Sequence, residues 1–306
     1  MNKKNIKKEL ITGSSGMLGG AIFDLFLSND EMFDVLGIDK VTPRIDNGFH
    51  VKINLIDFKQ LQSILNDFKP DIIIHCAAIV NVDCCETDKK SADLLHIEVT
   101  KILGSYNAKK SRLIYISTDA VFDGVNGNYR ENDKPHPLNY YAKSKWRGET
   151  EALNSCENNL VVRTNIYGYK NPPGNSLAEW AIHEAKNKNT ITGFSDVFFN
   201  PLYVKQLARV IKQLIIRSEN GIIHAGTRET VTKFEFLMEL YRRFGFPANR
   251  IKPISIDEIE FKGARPKNTT LNVNRLKEIT GDAPSIYNGL DEFVNDYKKD
   301  GRMNHD

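Results

Sequence analysis

The sequence predicts an α/β fold, a Rossmann-type doubly wound parallel sheet with a smaller C-terminal lobe. Its first half alternates short, apolar, β-rich runs with stretches of helical periodicity, the pattern of βαβ units around a parallel sheet. A glycine-rich loop at residues 13–19 stands between the first such run and the first helix. In sheets of this kind ligands bind beyond the carboxyl ends of the strands, so the residues that follow each strand are candidate site residues.

The elements of the first half follow from apolar runs and their spacing. Six strands are predicted, at residues 9–12, 35–38, 50–53, 72–76, 113–117 and 160–163. Four helices are predicted between them, at residues 19–28, 58–68, 92–108 and 141–154. Glu9 falls on a strand that should be buried on both faces, which leaves a shifted register as an alternative for that strand.

The second half changes character after Arg163. A turn cluster at residues 171–174 is followed by a helix through Trp180 and a β-like stretch that ends at Phe199. Helical periodicity returns, and one further apolar run predicts a strand at residues 221–225 that rejoins the sheet. The later helices are predicted at residues 204–217, 233–244 and 291–298.

Composition excludes several classes of protein. The 306 residues are 41% apolar and 26% charged, as in ordinary globular proteins. A net charge of +3, from 42 basic and 39 acidic residues mixed along the chain, gives no electrostatic footprint for nucleic acid. No run of 18 apolar residues and no apolar signal core is present, so we expect no membrane span and a cytoplasmic location. The four cysteines form neither a metal spacing nor a disulfide ladder, so we expect reduced thiols and no metal.

The glycine loop has the spacing G-x-x-G-x-x-G, a variant of the dinucleotide-binding fingerprint. Glycines let the backbone approach a pyrophosphate closely, and the helix N-terminus supplies oriented N–H groups. The spacing alone is a weak signal, and its position between a strand and a helix strengthens it. The residues predicted to bind the dinucleotide are Gly13, Ser15, Gly16, Met17, Leu18, Gly19, Asp39, Lys40, Asn54, Leu55, Cys76, Ala77, Ala78, Ser117, Tyr141 and Lys145.

Asp39 ends the second strand, where a carboxylate would accept hydrogen bonds from the adenosine ribose. Its charge would repel a 2′-phosphate and favours NAD, whereas the nearby Lys40 and Arg44 favour NADP, so the choice between NAD and NADP stays open. A turn-forming aspartate is the alternative reading of Asp39. Small residues at Ala77 and Ala78 would let the cofactor pass the sheet edge, and simple packing at the strand end explains them equally well.

The predicted catalytic residues are Thr118, Tyr141 and Lys145. Tyr141 and Lys145 are four residues apart and therefore share a helix face. A neighbouring ammonium and an oxidised nicotinamide are expected to lower the tyrosine pKa from its usual value near 10. Thr118 would hydrogen-bond the substrate oxygen, and Lys145 could also hold the nicotinamide ribose.

A second pair, Tyr106 and Lys110, has the same spacing. It precedes the strand that carries Thr118, so it should lie away from that strand's carboxyl end. A pair on a helix surface is the expected role.

At this point the chain resembles an extended short-chain dehydrogenase/reductase, and more narrowly the dTDP-4-dehydrorhamnose reductase family with its sugar-nucleotide-binding relatives. The segments that carry the resemblance, between residues 12 and 276, are TGSSGMLG, KPDIIIHCAAIVNVDCCE, YISTDAVFDG, PLNYYAKSKWRGE, VRTNIYG, NPLYVKQLA, GIIHAG and ARPKNTTLNVNRL. The resemblance implies reduction of a 4-keto-6-deoxy sugar nucleotide, with hydride from NAD(P)H and the proton from Tyr141, for surface polysaccharide synthesis.

The same resemblance implies a division of labour along the chain. Residues 1–165 with about 200–226 would bind NAD(P), and about 166–199 with 227–306 would form the substrate-binding lobe. A homodimer is also implied. The residues implied in substrate binding are Val82, Thr118, Asp119, Tyr141, Asn165, Ile166, Asn175 and Arg265.

The departures from the family pattern lie mostly on the substrate side. Ile166 stands where the family usually has tryptophan, and Val197 and Leu202 replace glutamine and threonine. His96 replaces an asparagine that often stabilises the helix beside the catalytic tyrosine. Two other functions therefore stay open: an epimerase or dehydratase with retained NAD, and a regulatory subunit of a methionine adenosyltransferase. The dehydratase is disfavoured because Ala120 stands where such enzymes have glutamate.

Overall fold

The computed structural model describes residues 6–28, 33–41, 49–170, 174 and 176–302. Seven parallel strands form a central sheet in the order β11-β6-β5-β4-β1-β2-β3, and six further strands form three short pairs. The strands are β1 Lys7–Thr12, β2 Phe33–Asp39, β3 His50–Lys52, β4 Ile72–His75, β5 Arg112–Ile116, β6 Leu160–Thr164, β7 Ile166–Tyr167, β8 Ile191–Phe194, β9 Phe198–Phe199, β10 Leu202–Tyr203, β11 Gly221–Ala225, β12 Val231–Thr232 and β13 Ile251–Ile254.

Helices cover both faces of the sheet. They are α1 Met17–Leu27, α2 Phe58–Phe68, α3 Val82–Thr87, α4 Lys89–Asp93, α5 Val99–Ser105, α6 Tyr140–Ser155, α7 Leu177–Lys186, α8 Val204–Ile216, α9 Lys233–Phe244, α10 Asn274–Thr280 and α11 Ile286–Lys299. Successive residues of one strand enter two different apolar clusters, as Ile73 and Ile74 of β4 do. Because side chains alternate across a strand, this division shows that the sheet is buried on both sides. The predicted fold class is confirmed.

The strand order places a crevice in the middle of the sheet. The chain builds outward from β1 through β2 to β3 on one side, and from β4 through β5 and β6 to β11 on the other. Strand β1 pairs with both β2 and β4, so the order reverses between β1 and β4. At such a reversal the connections leave in opposite directions and open a binding crevice at the carboxyl ends of the strands.

The remaining elements lie beside this edge. Strands β8 and β13 pair in parallel, and β9 pairs antiparallel with β12. Helices α7, α9 and α11 pack around Phe236 and Phe293, whose apolar cluster is continuous with one face of the sheet. No helix in these described ranges has the length and apolar character needed to cross a membrane.

The predicted strand and helix positions agree with the structure within a few residues, with two exceptions. The helix predicted at residues 92–108 begins earlier, at Lys89, contains a π-helical turn at Leu94–Glu98, and ends at Ser105 because Tyr106 takes an extended conformation. The last helix begins at Ile286 rather than at residue 291, because Ile286 and Leu290 supply a buried face that outweighs Gly289.

One smaller alternative is decided by the structure. Glu9 is fully buried and pairs with Val35 and Ile72, so the register of the first strand is as predicted and the alternative is wrong. The four cysteines are free thiols. Within the described residues no group of histidine, cysteine and carboxylate side chains is arranged to hold a metal ion.

Candidate active site

The predicted site residues meet at one edge because the strands are parallel. Strands β1, β4, β5 and β6 end at Thr12, His75, Ile116 and Thr164. The residues that follow them, Gly13, Cys76, Ser117 and Asn165, therefore open onto the same crevice. Strand β2 ends at Asp39, next to the glycine loop.

Close packing of the loop explains its glycines. Gly13 has a φ of 68°, in the left-handed region, and a Cβ there would lie 2.8 Å from the backbone nitrogen of Ala77. A Cβ on Gly19 would overlap the carbonyl oxygen of Gly13. The loop can therefore curl tightly only because these positions lack side chains. Ala77, whose small size was noted in the sequence, is the residue that Gly13 approaches here.

The loop leaves a helix N-terminus open to a ligand. Gly16 is the N-cap of α1 and has no side chain that could satisfy the first N–H groups, and Ser15, Gly16 and Met17 are partly exposed. Such free N–H groups and the positive end of the helix dipole suit a pyrophosphate. These features fit a dinucleotide phosphate. Leu18 and Gly19 lie inside the turn and are buried.

Asp39 faces the loop rather than open solvent. Its Oδ2 accepts a hydrogen bond from the Ser15 N–H at 3.0 Å, and its Oδ1 accepts one from the Val41 N–H at 3.4 Å. Lys40 is exposed. The carboxylate is thus held where a ribose could reach it, while Arg44, the residue cited for NADP, lies outside the described residues.

The other residues predicted to bind the dinucleotide lie on turns after β3 and β4. Asn54 accepts a hydrogen bond from the Ile56 N–H at 3.4 Å and is otherwise exposed, whereas Leu55 is buried. Burial raises the pKa of the Cys76 thiol to about 12, so it stays protonated. Ala78 is partly exposed at the crevice.

A buried histidine supports the strand end at Ala77. Thr12 Oγ1 accepts a hydrogen bond from the Ala77 N–H at 3.2 Å and lies 2.7 Å from His75 Nδ1. Burial lowers the pKa of His75 to about 3, and the charge of Lys145 contributes. The imidazole is therefore neutral, and the Thr12 hydroxyl donates to its unprotonated nitrogen.

Thr118 and Tyr141 lie beside each other. The Thr118 hydroxyl acts on the Tyr141 phenol and lowers its pKa. Thr118 Oγ1 also accepts from the Ala120 N–H at 3.1 Å and donates to Asp119 Oδ1 at 3.1 Å. Tyr141 lies in the first turn of α6, which Asn139 caps by accepting a hydrogen bond from the Ala142 N–H at 2.9 Å.

The predicted lowering of the Tyr141 pKa is wrong in direction for the polypeptide. Burial raises the pKa of Tyr141, and the charge of Asp119 adds to this, while Thr118 opposes it. Lys145 is itself buried and donates from Nζ to the Ile116 carbonyl oxygen at 2.7 Å. Burial lowers the pKa of Lys145 to about 7, and the charge of Glu149 opposes that shift. Desolvation is therefore the largest cause of the pKa shift at both groups.

A buried ion pair lies behind Lys145 and was missed from the sequence. Arg163 Nη2 contacts Glu149 Oε2 at 2.8 Å, and both side chains are 2% exposed. Ser117 donates from Oγ to Glu149 Oε1 at 2.5 Å, so its hydroxyl is turned toward this pair rather than toward the crevice. Glu149 stands four residues after Lys145, a spacing that could have indicated a shared helix face.

His96 links two parts of the site. Its Nε2 accepts a hydrogen bond from the Ile79 N–H at 2.9 Å, so the proton is on Nδ1, which lies 2.8 Å from Ser144 Oγ. Ser144 in turn donates to the carbonyl oxygen of Tyr141 at 2.9 Å. Burial lowers the pKa of His96 to about 2 and keeps the ring neutral. This histidine therefore connects the loop after β4 to the turn that carries the tyrosine.

Asp119 is the centre of the substrate side. Its Oδ2 accepts hydrogen bonds from Asn165 Nδ2 at 2.9 Å and from Thr269 Oγ1 at 2.5 Å. Burial raises the pKa of this carboxyl, and these hydrogen bonds oppose the shift. Ile166, the next residue, begins β7 and is partly buried. The structure thus brings the predicted residues Asp119 and Asn165 together with the unpredicted Thr269.

Arg265 and Val82 lie on a second side of the crevice. Arg265 contacts Asp83 Oδ1 at 3.1 Å, next to Val82 at the start of α3, and stacks on Phe261 at 5.1 Å. Asn139, two residues before Tyr141, donates to the carbonyl oxygen of the adjoining Ala264 at 2.9 Å. A cavity of 480 Å³ opens beside Arg265 and Phe261. Asn175 lies outside the described residues.

The second tyrosine–lysine pair is placed differently from the prediction. Tyr106 follows the end of α5 and donates its hydroxyl to the Leu65 carbonyl oxygen at 2.7 Å. Lys110 lies in the turn beyond it, so the two do not form a pair on a helix surface. Their position before β5 does keep them away from its carboxyl end.

A doubly wound sheet with a glycine loop at its reversal, and a linked threonine, tyrosine and lysine beside it, defines an extended short-chain dehydrogenase/reductase. The chain belongs to the RmlD substrate binding domain family, whose sequence model matches residues 7–299. The resemblance inferred from the sequence motifs is confirmed.

The relatives of the chain are named as two different kinds of protein, a methionine adenosyltransferase subunit and a reductase. It is 34% identical to methionine adenosyltransferase 2 subunit beta of Danio rerio over 280 residues, covering 89% of this chain and 84% of that protein. It is 27% identical to dTDP-4-dehydrorhamnose reductase of Aggregatibacter actinomycetemcomitans over 290 residues, covering 90% and 94%. The crystal structure of dTDP-4-dehydrorhamnose reductase from Bacillus anthracis, in complex with NADP, superposes with a TM-score of 0.85 at 28% identity, covering 95% and 99%.

Proposed function

We propose that the protein is an NAD(P)H-dependent reductase of a 4-keto-6-deoxy sugar nucleotide, of the dTDP-4-dehydrorhamnose reductase type. The observation that carries this proposal is that Thr118, Tyr141 and the buried Lys145 come together at the sheet edge that also holds the glycine loop. A regulatory protein needs the loop to bind a dinucleotide, but it has no need of a linked proton donor.

The proton would come from Tyr141. Because burial raises its pKa, the phenol is protonated at neutral pH, which is the form that can give a proton to a carbonyl oxygen. Thr118 would hold that oxygen by a second hydrogen bond. The ammonium of Lys145 would stabilise the phenolate that remains, until solvent returns the proton.

The glycine loop would hold the cofactor. NADH or NADPH, when bound, would supply the hydride to the carbonyl carbon. The N–H groups at the start of α1 would bind the pyrophosphate. Asp39 would accept hydrogen bonds from the adenosine ribose hydroxyls and repel a 2′-phosphate. Relatives that hold NADP support a cofactor of this class. Lys145 and the small Ala77 and Ala78 would line the nicotinamide end.

The sugar nucleotide would lie between the sheet edge and the C-terminal lobe. We place substrate binding in residues 166–199 and 227–306 with Asp119 and Asn165, and we place the diphosphate near Arg265, since a guanidinium suits phosphate oxygens. A homodimeric, cytoplasmic enzyme that supplies surface polysaccharide synthesis stays a prediction.

One alternative has a specific observation in its favour. The chain is more similar to the methionine adenosyltransferase beta subunit of Danio rerio, at 34% identity, than to the two reductases named above, at 27% and 28%. A regulatory subunit of that kind is the second candidate. It would bind NADPH without oxidising it and would copurify with a methionine adenosyltransferase catalytic subunit.

Turnover by purified protein separates the two candidates. With dTDP-4-dehydrorhamnose present, we expect the protein to oxidise NADPH or NADH. Tyr141→Phe should lower kcat by about 10²–10⁴-fold, the usual contribution of a positioned proton donor, with the Kd for NADPH unchanged. Tyr140→Phe is the matched control, because its hydroxyl donates to Asp93 on the other side of the helix at 2.9 Å. Equal turnover by wild type and Tyr141→Phe would exclude the mechanism.

A further inference from the structure

A partly exposed lysine that the mechanism above does not use lies near Asp119, on the substrate side of the site. Lys233 is the first residue of α9, and its Nζ lies 3.4 Å from the centroid of the Phe199 ring. Burial lowers the pKa of Lys233 to about 8, and the charge of Asp119 opposes that shift. The amine is therefore mainly protonated at neutral pH.

The ammonium has donors to spare. Its backbone N–H pairs with the Val197 carbonyl oxygen at 2.9 Å, which fixes the start of the helix. In the part of the chain that the structure describes, however, Nζ makes neither a hydrogen bond nor an ion pair. Because the side chain is partly exposed, these N–H groups are open to a ligand that supplies acceptor oxygens.

Asp119 places this ammonium relative to the reacting groups. The charges of Lys233 and Asp119 act on each other, and the charge of Asp119 also acts on the Tyr141 phenol. One oxygen of Asp119 is occupied by Asn165 and Thr269, and the other accepts from Thr118. The Thr269 N–H also donates to the carbonyl oxygen of Phe198 at 3.2 Å, and the next residue, Phe199, carries the ring under Lys233. Lys233 and Asp119 therefore lie on the same side of the site.

We infer that Lys233 is a substrate-binding residue, whose ammonium donates hydrogen bonds to oxygen substituents of the sugar ring beside the reacting carbonyl. The inference rests on the proposed function in taking a sugar nucleotide as the ligand. A sugar ring has hydroxyl oxygens that can accept from the ammonium and C–H groups that can pack on Phe199. Lys233 and Asp119 would then form a donor and acceptor pair that selects the sugar, while Arg265 contacts the nucleotide part.

A purely structural role is the competing explanation, in which Lys233 only balances the charge of Asp119. Ligands with and without the sugar separate the two. A residue that contacts the sugar changes the affinity for dTDP-rhamnose, the expected product, but leaves the affinity for dTDP unchanged. A residue that only maintains the fold changes both affinities or neither.

The test is isothermal titration of wild type, Lys233→Met and Lys233→Arg with dTDP-rhamnose and with dTDP, with NADP present throughout. We expect wild type to bind dTDP-rhamnose more tightly than dTDP. Lys233→Met should weaken dTDP-rhamnose binding about tenfold or more, as expected for a lost hydrogen bond from a charged donor, and leave dTDP binding unchanged. Lys233→Arg, which keeps the charge and donors, should lie closer to wild type. Lys205→Met is the matched control. Lys205 lies on α8, and its Nζ already forms an ion pair with Asp296 Oδ2 at 2.9 Å.

Several results would overturn the inference. They are equal affinities of wild type for the two ligands, unchanged sugar-nucleotide binding by Lys233→Met, and equal losses for both ligands in that variant. NADPH oxidation measured on the same samples keeps the two proposals separate. A wild type that binds dTDP-rhamnose through Lys233 but does not oxidise NADPH with dTDP-4-dehydrorhamnose would remove the reductase and retain the sugar contact.

Discussion

The two halves of the crevice are built by different means. The half beside the glycine loop comes from residues 12–28, 33–41 and 75–78. It is shaped by contacts within these segments, such as the backbone contact of Gly13 with Ala77 and the hydrogen bonds of the Thr12 and Asp39 side chains. The other half draws single side chains from segments far apart in the chain, and Thr269 reaches Asp119 across 150 residues. Backbone shape can thus suffice to bind a cofactor, whereas the chemistry and the choice of substrate depend on side chains that the whole fold brings together.

If the side-chain half depends on its buried charges, removing one of them should lower the free energy of unfolding more than any other single change proposed below. Arg163→Met leaves Glu149 buried without its partner, and we expect the free energy of unfolding to fall by about 3–5 kcal/mol. Urea denaturation followed by circular dichroism measures the change.

Arg147→Met supplies the control for this prediction, since Arg147 lies on the same helix as Glu149 but is half exposed and pairs with Asp93 of α4. Its removal should cost about 0–1 kcal/mol. Equal losses in the two variants would show that burial of the Glu149 pair has no special role. The double variant Arg163→Met/Glu149→Leu should recover part of the lost stability.

The protein should also lose stability as the pH falls, because buried histidines lie at the end of β4 (His75), beside α6 (His96) and in β11 next to Arg163 (His224). Burial lowers the pKa of His75 to about 3, of His96 to about 2 and of His224 to about 3, whereas the unfolded value is near 6.5. Protons therefore favour the unfolded chain, and the stability that these neutral rings supply is present above about pH 6.5 and lost below it. From about pH 7.5 to 6 we expect the free energy of unfolding to fall by about 2–3 kcal/mol.

Denaturation curves across this pH range test the expectation. Lys145, whose pKa is lowered to about 7, acts in the same direction because the folded state binds fewer protons than the unfolded state. His136→Gln should leave the slope unchanged, since that side chain is 78% exposed. A flat profile would mean that the three buried rings take up protons within the folded protein.

The backbone half should respond to a single added methyl group. Gly19→Ala places a Cβ against the Gly13 carbonyl oxygen, and we expect a loss of about 1–3 kcal/mol in unfolding free energy together with weaker NADPH binding. Gly20→Ala, the next residue on α1, meets only the Ser14 oxygen at 3.4 Å and should be neutral or stabilising by up to about 1 kcal/mol. Denaturation and NADPH fluorescence titration compare the two, and a similar response would show that the loop is not tightly packed.

The same comparison explains what the sequence could and could not predict. The strands, the glycine loop and the Tyr141–Lys145 spacing are local patterns, because a strand, a turn and a helix each repeat over a few residues. The strand order then brought their ends together, as expected for a doubly wound sheet. Local patterns predicted helix geometry and helix ends less well where packing determines them, as at the π-helical turn and at the early start of α11.

The substrate side depended on contacts that no local pattern encodes. Lys233 and Thr269 reach Asp119 from α9 and from the segment after Arg265, and only the folded chain shows this. The direction of the Tyr141 pKa was wrong for a similar reason. Spacing indicates that an ammonium is near, but the cost of burial, which is the largest cause of the raised pKa of Tyr141, is a property of the folded chain.

The most direct test of the proposed chemistry follows the hydride itself. Protein would be incubated with dTDP-4-dehydrorhamnose and NADPH carrying deuterium at the transferred position, and the sugar nucleotide would then be analysed by mass spectrometry and NMR. We expect one deuterium on the former carbonyl carbon in the wild-type reaction and very little product with Tyr141→Phe. A sugar nucleotide without deuterium, recovered from wild-type protein shown to bind both compounds, would contradict the assignment of a reductase.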